Sequence, residues 1–314
     1  MAESSIVVSV EKVVKHLKDH KVKAAVKVKS EVLRIAENFL KDEGYVELLP
    51  TILSTVTDPL NHDVYEVTVD YNGLPYRLTQ SMIFHKQLAL LAFDKIFITS
   101  PNIRLETFDK STSGRHLFEF VQIDLEAREA TREDIMNLIE RLFVEIFKGV
   151  RESCKEELEF LDVDPEIPKP PFKKVKYLDA VKEYGEKFED KLSMDLDQPA
   201  WLIDIPILKR EFYDKLSPNG ETLLDMDLIL PRGYGEVISG GEREYEYDSI
   251  LRRMAIKGND PENFEWYLKI VKEYGIPPSA GCGFGVERLT RYICGLDHVK
   301  YTRLFPKVPG ELWV

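Results

Sequence analysis

Two segments in the first half of the chain combine charged side chains with the alternation of a β-strand. Within Asn102–Glu106, Arg104 and Glu106 share one face of a strand, because side chains two residues apart point the same way. Arginine binds phosphate through a two-pronged contact, and glutamate accepts hydrogen bonds from an amine. Residues 120–126 set one aromatic and three polar side chains on one face. A solvated sheet surface would also carry this pattern, but a ligand site explains it better when all the segments are combined.

A glycine-rich segment near the C-terminus supplies a third group of candidates. Gly281, Gly283 and Gly285 alternate and lead directly into Val286-Glu287-Arg288. Glycines let the start of a helix approach a ligand closely, and the helix dipole favours an anion there. Arg288 adds a full positive charge in the first turn. The glycines alone would equally suit a tight turn.

Composition limits the classes of protein that can position these groups. The chain has 314 residues, of which 44% are hydrophobic and 31% are charged, so it can form a large core. Acids outnumber bases by 55 to 43, a net charge of -12. This balance argues against a chain whose main task is to cover nucleic-acid backbone. The three cysteines form no CxxC pair, which predicts neither a disulfide framework nor a cysteine zinc site.

Targeting signals are not evident in the sequence. The first twenty residues hold no long apolar stretch, and no apolar run approaches the ~20 residues that a membrane helix needs. We therefore expect a cytoplasmic protein.

Hydrophobic periodicity predicts an α+β fold with a largely antiparallel sheet, because hairpins outnumber βαβ units. The turn at Asn72-Gly73 predicts a β-hairpin within 63–79, and Thr131 with Asp134 predicts a capping box. The other predicted elements are helices at 11–43, 80–93, 131–160 and 261–274, and strands at 96–106, 117–126, 201–206, 223–230 and 234–245.

Taken in order, these segments resemble a known family. Four segments resemble motifs 2 and 3 of class II aminoacyl-tRNA synthetases. They are R-x-E at 104–106, R-H at 115–116, E-F-x-x-x-D-x-E at 119–126 and G-x-G-x-G-x-E-R-L at 281–289. Residues 226–243 are similar to the asparaginyl form within the asparaginyl/aspartyl subgroup. The resemblance covers roughly 25–314. It implies an antiparallel sheet of about six strands flanked by helices. It also implies a homodimer that pairs through the first long helix and the strand near Pro50.

The resemblance also assigns roles in ATP binding. Arg104 would hold the α-phosphate, Glu106 the adenine amine, and Arg288 the far phosphates. His116, with Arg115, would reach the γ-phosphate, and Phe120 would stack on adenine. Asp227 and Glu236 would hold Mg2+ as oxygen ligands bridged to phosphates, with Asp225 as the alternate to Asp227.

An amino-acid pocket follows from the same resemblance. Its substrate-binding residues would be Asp58, Ser81, Lys86, Asp124 and Arg243, with Ile83 at a position where the family usually has glutamine. Arg243 in a closed pocket prefers a carboxylate to an amide, and Lys86 adds a second cation. These two cations favour aspartate as the ligand and leave asparagine possible.

The expected function depends on what stands before the catalytic segments. Synthetases of this subgroup carry an anticodon-binding OB domain there, whereas 1–314 is expected to form a single catalytic domain without it. This arrangement is similar to archaeal asparagine synthetases related to asparaginyl-tRNA synthetase. Such an enzyme would activate aspartate with ATP as an aspartyl adenylate, and ammonia would then attack, releasing AMP. tRNA is therefore expected to be an unlikely partner.

Two alternatives remain open. The first is a truncated synthetase paralogue that transfers an amino acid to tRNA or another acceptor, and the second is a non-catalytic regulatory subunit. Candidate bases for the ammonium are Asp58, His62, Glu119 and Asp124, which the sequence does not rank.

Overall fold

A computed structural model describes residues 6–313 of the chain, so the first five residues of the N-terminal segment considered above lie outside it. Helices account for much of the described part. They are α1 (Val10–Lys18), α2 (His20–Asp42), α3 (Ile83–Ala89), α4 (Arg132–Ser153), α5 (Lys155–Phe160), α6 (Tyr177–Tyr184), α7 (Phe188–Asp195), α8 (Tyr247–Lys257), α9 (Glu265–Tyr274) and α10 (Val286–Ile293). Short 3-10 helices cover Phe108–Thr112, Ile207–Lys209, Pro261–Phe264 and Val299–Thr302.

The strands form one large sheet and two small ones. They are β1 (Ile6–Val7), β2 (Val46–Glu47), β3 (Leu53–Ser54), β4 (Thr68–Tyr71), β5 (Leu74–Leu78), β6 (Lys95–Ile103), β7 (Glu119–Arg128), β8 (Lys173–Lys176), β9 (Ala200–Ile203), β10 (Asp225–Leu230), β11 (Gly235–Arg243), β12 (Ser279–Gly285) and β13 (Glu311–Leu312). The large sheet runs in the order β2-β6-β7-β12-β11-β10-β9-β8.

This sheet has an antiparallel centre with parallel edges. Each neighbouring pair from β6 to β9 is antiparallel, whereas β2 pairs with β6 and β8 pairs with β9 in parallel. The six central strands match the number that the resemblance implies, and the two parallel strands extend it to eight. The predicted α+β class with a mostly antiparallel sheet is confirmed.

Alternation along β7 separates the core from the opposite face of the sheet. Ile123 and Leu125 are fully buried in the main core with apolar residues of α2, α4 and α10. Asp124 and Glu126 point the other way and are buried too, although they are charged. Helices α2, α4 and α10 therefore cover one face of the sheet, and the opposite face holds the buried polar groups.

Local signals in the sequence locate several element boundaries. The hairpin turn lies at Asn72 and Gly73, whose φ angles are +53° and +85°, the left-handed values that a tight hairpin turn requires. Thr131 and Asp134 form the predicted capping box at the start of α4. The predicted helix at 11–43 is in fact two helices, because Asp19 leaves the helical conformation and caps α2. The predictions did not include α6, α7 and α8.

Among residues 6–313, no helix has the length and apolar character needed to cross a lipid bilayer.

Candidate active site

A cavity of about 420 Å³ lies on the polar face of the large sheet. Nearly all of the site residues predicted from the sequence line it, namely Asp58, Ser81, Lys86, Arg104, Glu106, Arg115, His116, Phe120, Asp124, Glu236, Arg243 and Arg288. These residues come from segments far apart in the chain, so the sheet brings them together as the resemblance implies. Asp227 is absent from the described residues that line this cavity.

The two arginines expected to bind phosphate both reach this cavity. Arg104 follows the end of β6, where its Nε donates to the carbonyl oxygen of Gln80 at 2.9 Å. Its guanidinium lies 5.3 Å from the centre of the Phe120 ring, an attractive cation–π distance. Arg288 lies in the first turn of α10 and donates to the carbonyl oxygen of Glu236 at 3.1 Å. Neither guanidinium is fully occupied by these contacts, so both can accept an anionic ligand.

Two histidines stand beside the predicted adenine and phosphate positions. His62 Nε2 lies 3.2 Å from Glu106 Oε1, and this contact lowers the pKa of Glu106 even though burial acts in the opposite direction. His116 accepts or donates a hydrogen bond with Ser113 at 2.7 Å. Burial, reinforced by Arg288, lowers the pKa of His116 to about 4. His116 is therefore neutral at pH 7 and offers a hydrogen bond rather than a charge.

Arg115 is held by an acid that the sequence analysis did not identify. Its Nη2 lies 3.0 Å from Glu189 Oε1 on α7. The guanidinium also lies against the backbone of Gly235, where a built Cβ would approach Arg115 to 2.6 Å. Gly235 has a φ of +73°, so its backbone conformation favours glycine, and any larger residue would also push the guanidinium of Arg115 aside. Because Arg115 already contacts Glu189, a phosphate that binds Arg115 would have to share it with Glu189 or displace Glu189.

An arginine that the sequence did not indicate lies beside the predicted metal ligand Asp227 and its alternate Asp225. Asp227 binds Arg210 Nη2 at close range, and Asp225 lies 3.2 Å from Arg210 Nε. Arg210 therefore neutralises both the predicted ligand and its alternate. Burial alone would raise the pKa of Glu236, but Arg288 and Arg210 hold it below its usual range. Glu236 thus fits as one carboxylate ligand of a phosphate-bound Mg2+. Asp227 gives Oδ2 to Arg210, and its Oδ1 is buried without a hydrogen-bond partner among the described residues, so its role as a second ligand stays a prediction.

The amino-acid end of the cavity contains a buried row of alternating charges. Asp124 Oδ1 lies 3.1 Å from Lys86 Nζ, which lies 3.6 Å from Glu126 Oε2. Glu126 Oε1 lies 3.1 Å from Arg243 Nε, and Arg243 Nη1 lies 2.9 Å from Asp214 Oδ1. All five side chains are buried. We call these residues the charge row; it contains three acids and two bases.

The charge row changes the argument for aspartate. That argument assumed that Lys86 and Arg243 would be buried without partners and would require a carboxylate ligand. Both cations already have protein carboxylates beside them, so this premise does not hold. Charge at this end therefore does not by itself select aspartate over asparagine.

Gly281 and Gly283 have a role that differs from the predicted one. Both lie inside β12 rather than in a turn. A Cβ at Gly281 would come within 2.2 Å of Glu126 Oε2, and one at Gly283 within 2.8 Å of Asp124 Oδ1. The glycines thus make room for the acids of the charge row, and Gly285 alone caps α10.

The remaining predicted substrate residues occupy the rim of this end. Ser81 accepts a hydrogen bond from the backbone N–H of Ile83 at 3.3 Å, at the start of α3. Asp58 is buried and accepts the Tyr213 hydroxyl at 3.1 Å from each carboxylate oxygen. Both residues line the cavity, so their predicted contacts with the amino acid remain possible and untested.

Four charged residues that line this wall were not predicted from the sequence, namely Glu189, Arg210, Glu211 and Asp214. Three of them lie in Arg210-Glu211-Phe212-Tyr213-Asp214, a segment with no strand or helix alternation. A cluster of three charges around two aromatic residues was the available signal.

Comparison with known proteins agrees with the geometry. Residues 7–309 match the family described as tRNA synthetases class II (D, K and N). Asparagine–tRNA ligase of Pyrococcus abyssi is 32% identical over 315 aligned residues, which cover 95% of this chain and 71% of the relative. The same enzyme of Thermococcus kodakarensis is 32% identical, with 95% and 72% covered.

Solved structures show the same fold. Asparaginyl-tRNA synthetase from Pyrococcus horikoshii, complexed with asparaginyl-adenylate, superposes with a TM-score of 0.87 at 30% identity, covering 98% of this chain and 74% of that one. The Entamoeba histolytica enzyme, also in complex with asparaginyl-adenylate, gives 0.83 at 24% identity and shares the fold, with 96% and 71% covered.

Proposed function

Because the chain belongs to the class II tRNA synthetases of the D, K and N group, a family of ATP-dependent, AMP-forming ligases, we propose that it joins aspartate or asparagine to AMP as an aminoacyl adenylate. The observation that carries the proposal is that Arg104 and Arg288 line one cavity together with four residues of the charge row, Lys86, Asp124, Asp214 and Arg243. One end of that cavity suits phosphates, and the other suits a small zwitterion.

In the proposed reaction, a carboxylate of the amino acid attacks the α-phosphorus of ATP and pyrophosphate leaves. Arg104 and Arg288 neutralise the charge that develops on the phosphates, and Glu106 orients the adenine amine. Mg2+, held by Glu236 and the phosphates, would supply further charge neutralisation when bound. The protein therefore acts by positioning and electrostatics, and no covalent enzyme intermediate is required.

The acceptor of the activated amino acid has two candidates. Relatives named asparagine–tRNA ligase favour asparagine as the amino acid and tRNA as the acceptor. They count against the expectation that tRNA is an unlikely partner. Ammonia is the second candidate, with aspartate as the substrate and asparagine as the product. It is favoured by Glu211, a buried carboxyl in the cavity wall to which the steps described above assign no role.

The test is an ATP–pyrophosphate exchange assay with purified protein, Mg2+ and either aspartate or asparagine. Exchange with one of them is expected, and absence of exchange with both would overturn the proposal. Adding tRNA with asparagine, or ammonium with aspartate, then identifies the acceptor. Formation of aminoacyl-tRNA supports the first candidate, and equal amounts of asparagine and AMP support the second.

Hydroxylamine reports which carboxylate of aspartate is activated. It traps the adenylate as a hydroxamate whose position matches the activated group. An α-hydroxamate is expected for aminoacyl transfer, and a β-hydroxamate is expected for asparagine synthesis. The two products separate by chromatography, so the result does not depend on adding the natural acceptor.

We also propose that two copies of the chain pair through the segment 46–53. Leu49 is 90% exposed there, and Val46, Ile52 and Leu53 are each at least 40% exposed. Such an exposed apolar patch is typical of a protein–protein interface. Sedimentation should give twice the chain mass of 36.3 kDa. Leu49→Asp should give the single-chain mass, while Leu178→Asp, at another exposed leucine, should not. A monomeric wild type would contradict the proposal.

A further inference from the structure

Glu211 is a carboxyl group of the cavity wall that the proposed reaction does not use. Its side chain is directed into the cavity although the residue is only 5% exposed. Oε1 lies 3.5 Å from Lys257 Nζ on α8. Oε2 is buried and has no hydrogen-bond partner among the described residues. A buried acceptor oxygen without a donor is costly unless a ligand supplies the donor.

A second acid of the same wall lies near Glu211. Asp58 also lines the cavity, and the Tyr213 hydroxyl fixes its carboxylate. Asp214, a third acid in this wall, is already engaged by Arg243. The charged and titratable groups that face Glu211 from the elements around it are Asp58, Asp214, Lys257, Arg253 and Tyr213. Asp58 and Glu211 thus present carboxylate oxygens to a common space with Lys257 as the nearest base.

Burial raises the pKa of Glu211 to about 7, and Asp58 and Asp214 add to this effect while Lys257 opposes it. A cation placed beside Oε2 would favour the ionised carboxylate, because opposite charges attract strongly where water is excluded. An apolar group at the same place would leave Oε2 unsatisfied, and an anion would be repelled by Asp58 and Asp214 nearby. The wall therefore selects a small cation that can donate hydrogen bonds.

We propose that Glu211 and Asp58 form a binding site for an ammonium group. This site rests on the proposed adenylate formation, and it would bind the ammonium group of one of the substrates. The group has two possible sources, the α-ammonium of the amino acid or a free ammonium ion. Both donate several hydrogen bonds from a compact positive charge, which is the chemistry that the two carboxylates recognise.

If the source is a free ammonium ion, Glu211 also acts as the base. Its carboxylate takes one proton from ammonium, and the freed electron pair of nitrogen attacks the carbonyl carbon of the aspartyl adenylate. The bond between that carbon and the phosphate oxygen breaks, and AMP leaves with the electron pair. The new nitrogen then loses one proton to solvent and becomes the amide.

Glu211→Gln tests the site, because it keeps the shape and removes the charge. If the α-ammonium binds here, the KM for the amino acid in pyrophosphate exchange should rise about 10- to 100-fold while the KM for ATP stays the same. If free ammonium binds here, exchange should be unchanged and the KM for ammonium should rise by a similar factor. Hydroxylamine, which is neutral at pH 7.5, should still react in that case. Unchanged KM values for all substrates would overturn the inference.

Two further variants separate this role from a structural one. Glu140→Gln changes a glutamate that is also 5% exposed but lies outside the cavity, bonded to Trp201, and should leave every KM unchanged.

Lys257→Met removes the base that lowers the pKa of Glu211. The pH at which ammonium-group affinity falls by half should therefore move upward in Lys257→Met and should disappear in Glu211→Gln. A pH profile that neither variant changes would contradict the inference. Absence of exchange in the wild type would instead overturn the proposed function.

Discussion

Replacing Arg288 by alanine should lower the rate of ATP–pyrophosphate exchange by about 100-fold or more while the protein stays folded. Arg288 lies in the first turn of α10 and reaches the cavity beside Glu236, 3.6 Å from its carboxylate. Its charge is placed where the phosphates must lie if Arg104 binds the same nucleotide. A neutral side chain there would leave the departing pyrophosphate without its counter-charge.

Arg291 provides a matched control for this variant on the same helix. Its guanidinium lies 4.7 Å from the centre of the Tyr234 ring, and it does not belong to the described cavity lining. Arg291→Ala should therefore keep exchange within a few-fold of wild type. Exchange and thermal unfolding should be measured on both variants. Equal losses in the two variants, or full activity in Arg288→Ala, would remove Arg288 from the phosphate site.

Strand periodicity explains why much of the cavity could be predicted from the sequence. Along β7, Ile123 and Leu125 alternate with Asp124 and Glu126, and the period of two assigns each pair to its face without any knowledge of the fold. The packing of the apolar pair in the core follows from that assignment. The burial of the acidic pair does not follow from alternation alone, because a solvated sheet surface would show the same pattern, and it was expected only from the combination with the other segments.

Partners of the charged groups could not be predicted in the same way. Arg210 neutralises Asp227 across 17 residues, and Glu189 holds Arg115 across 74. Neither contact is indicated by a local sequence pattern, because both contacts depend on how separate elements pack against the sheet. The prediction of Asp227 as a metal ligand did not account for Arg210 for this reason. Gly281 and Gly283 show the same limit, because the atoms that leave no room for a Cβ lie on the neighbouring strand β7 and include the carbonyl oxygen of Leu125 and the acids of the charge row.

Replacing Arg243 by methionine should destabilise the protein by about 3–5 kcal/mol and abolish amino-acid activation. Arg243 separates Glu126 from Asp214 in the charge row, and its third nitrogen donates to the carbonyl oxygen of Gly281 at 2.9 Å. Without it, Asp214 loses its paired cation, and Glu126 keeps Lys86 as a counter-charge and the Ser279 hydroxyl as a hydrogen-bond donor. Urea unfolding of the wild type and the variant measures the loss.

Arg128 is the control for this prediction, because it forms an exposed pair with Asp94 at 3.6 Å. Arg128→Met should change the free energy of unfolding by less than about 1 kcal/mol, as expected for a solvent-screened pair. A similar small change for Arg243→Met would mean that the charge row does not stabilise the fold.

A double variant tests whether the acids of the charge row cause the loss. Adding Asp214→Asn to Arg243→Met removes one uncompensated carboxylate, so the double variant should be more stable than Arg243→Met alone by about 1–2 kcal/mol. Asp214→Asn by itself should be mildly destabilising, because it weakens one partner of a paired arginine. If the two changes were simply additive, the loss would come from the packing of the Arg243 side chain. In that case, charge compensation within the row would not explain why these five residues can be buried together.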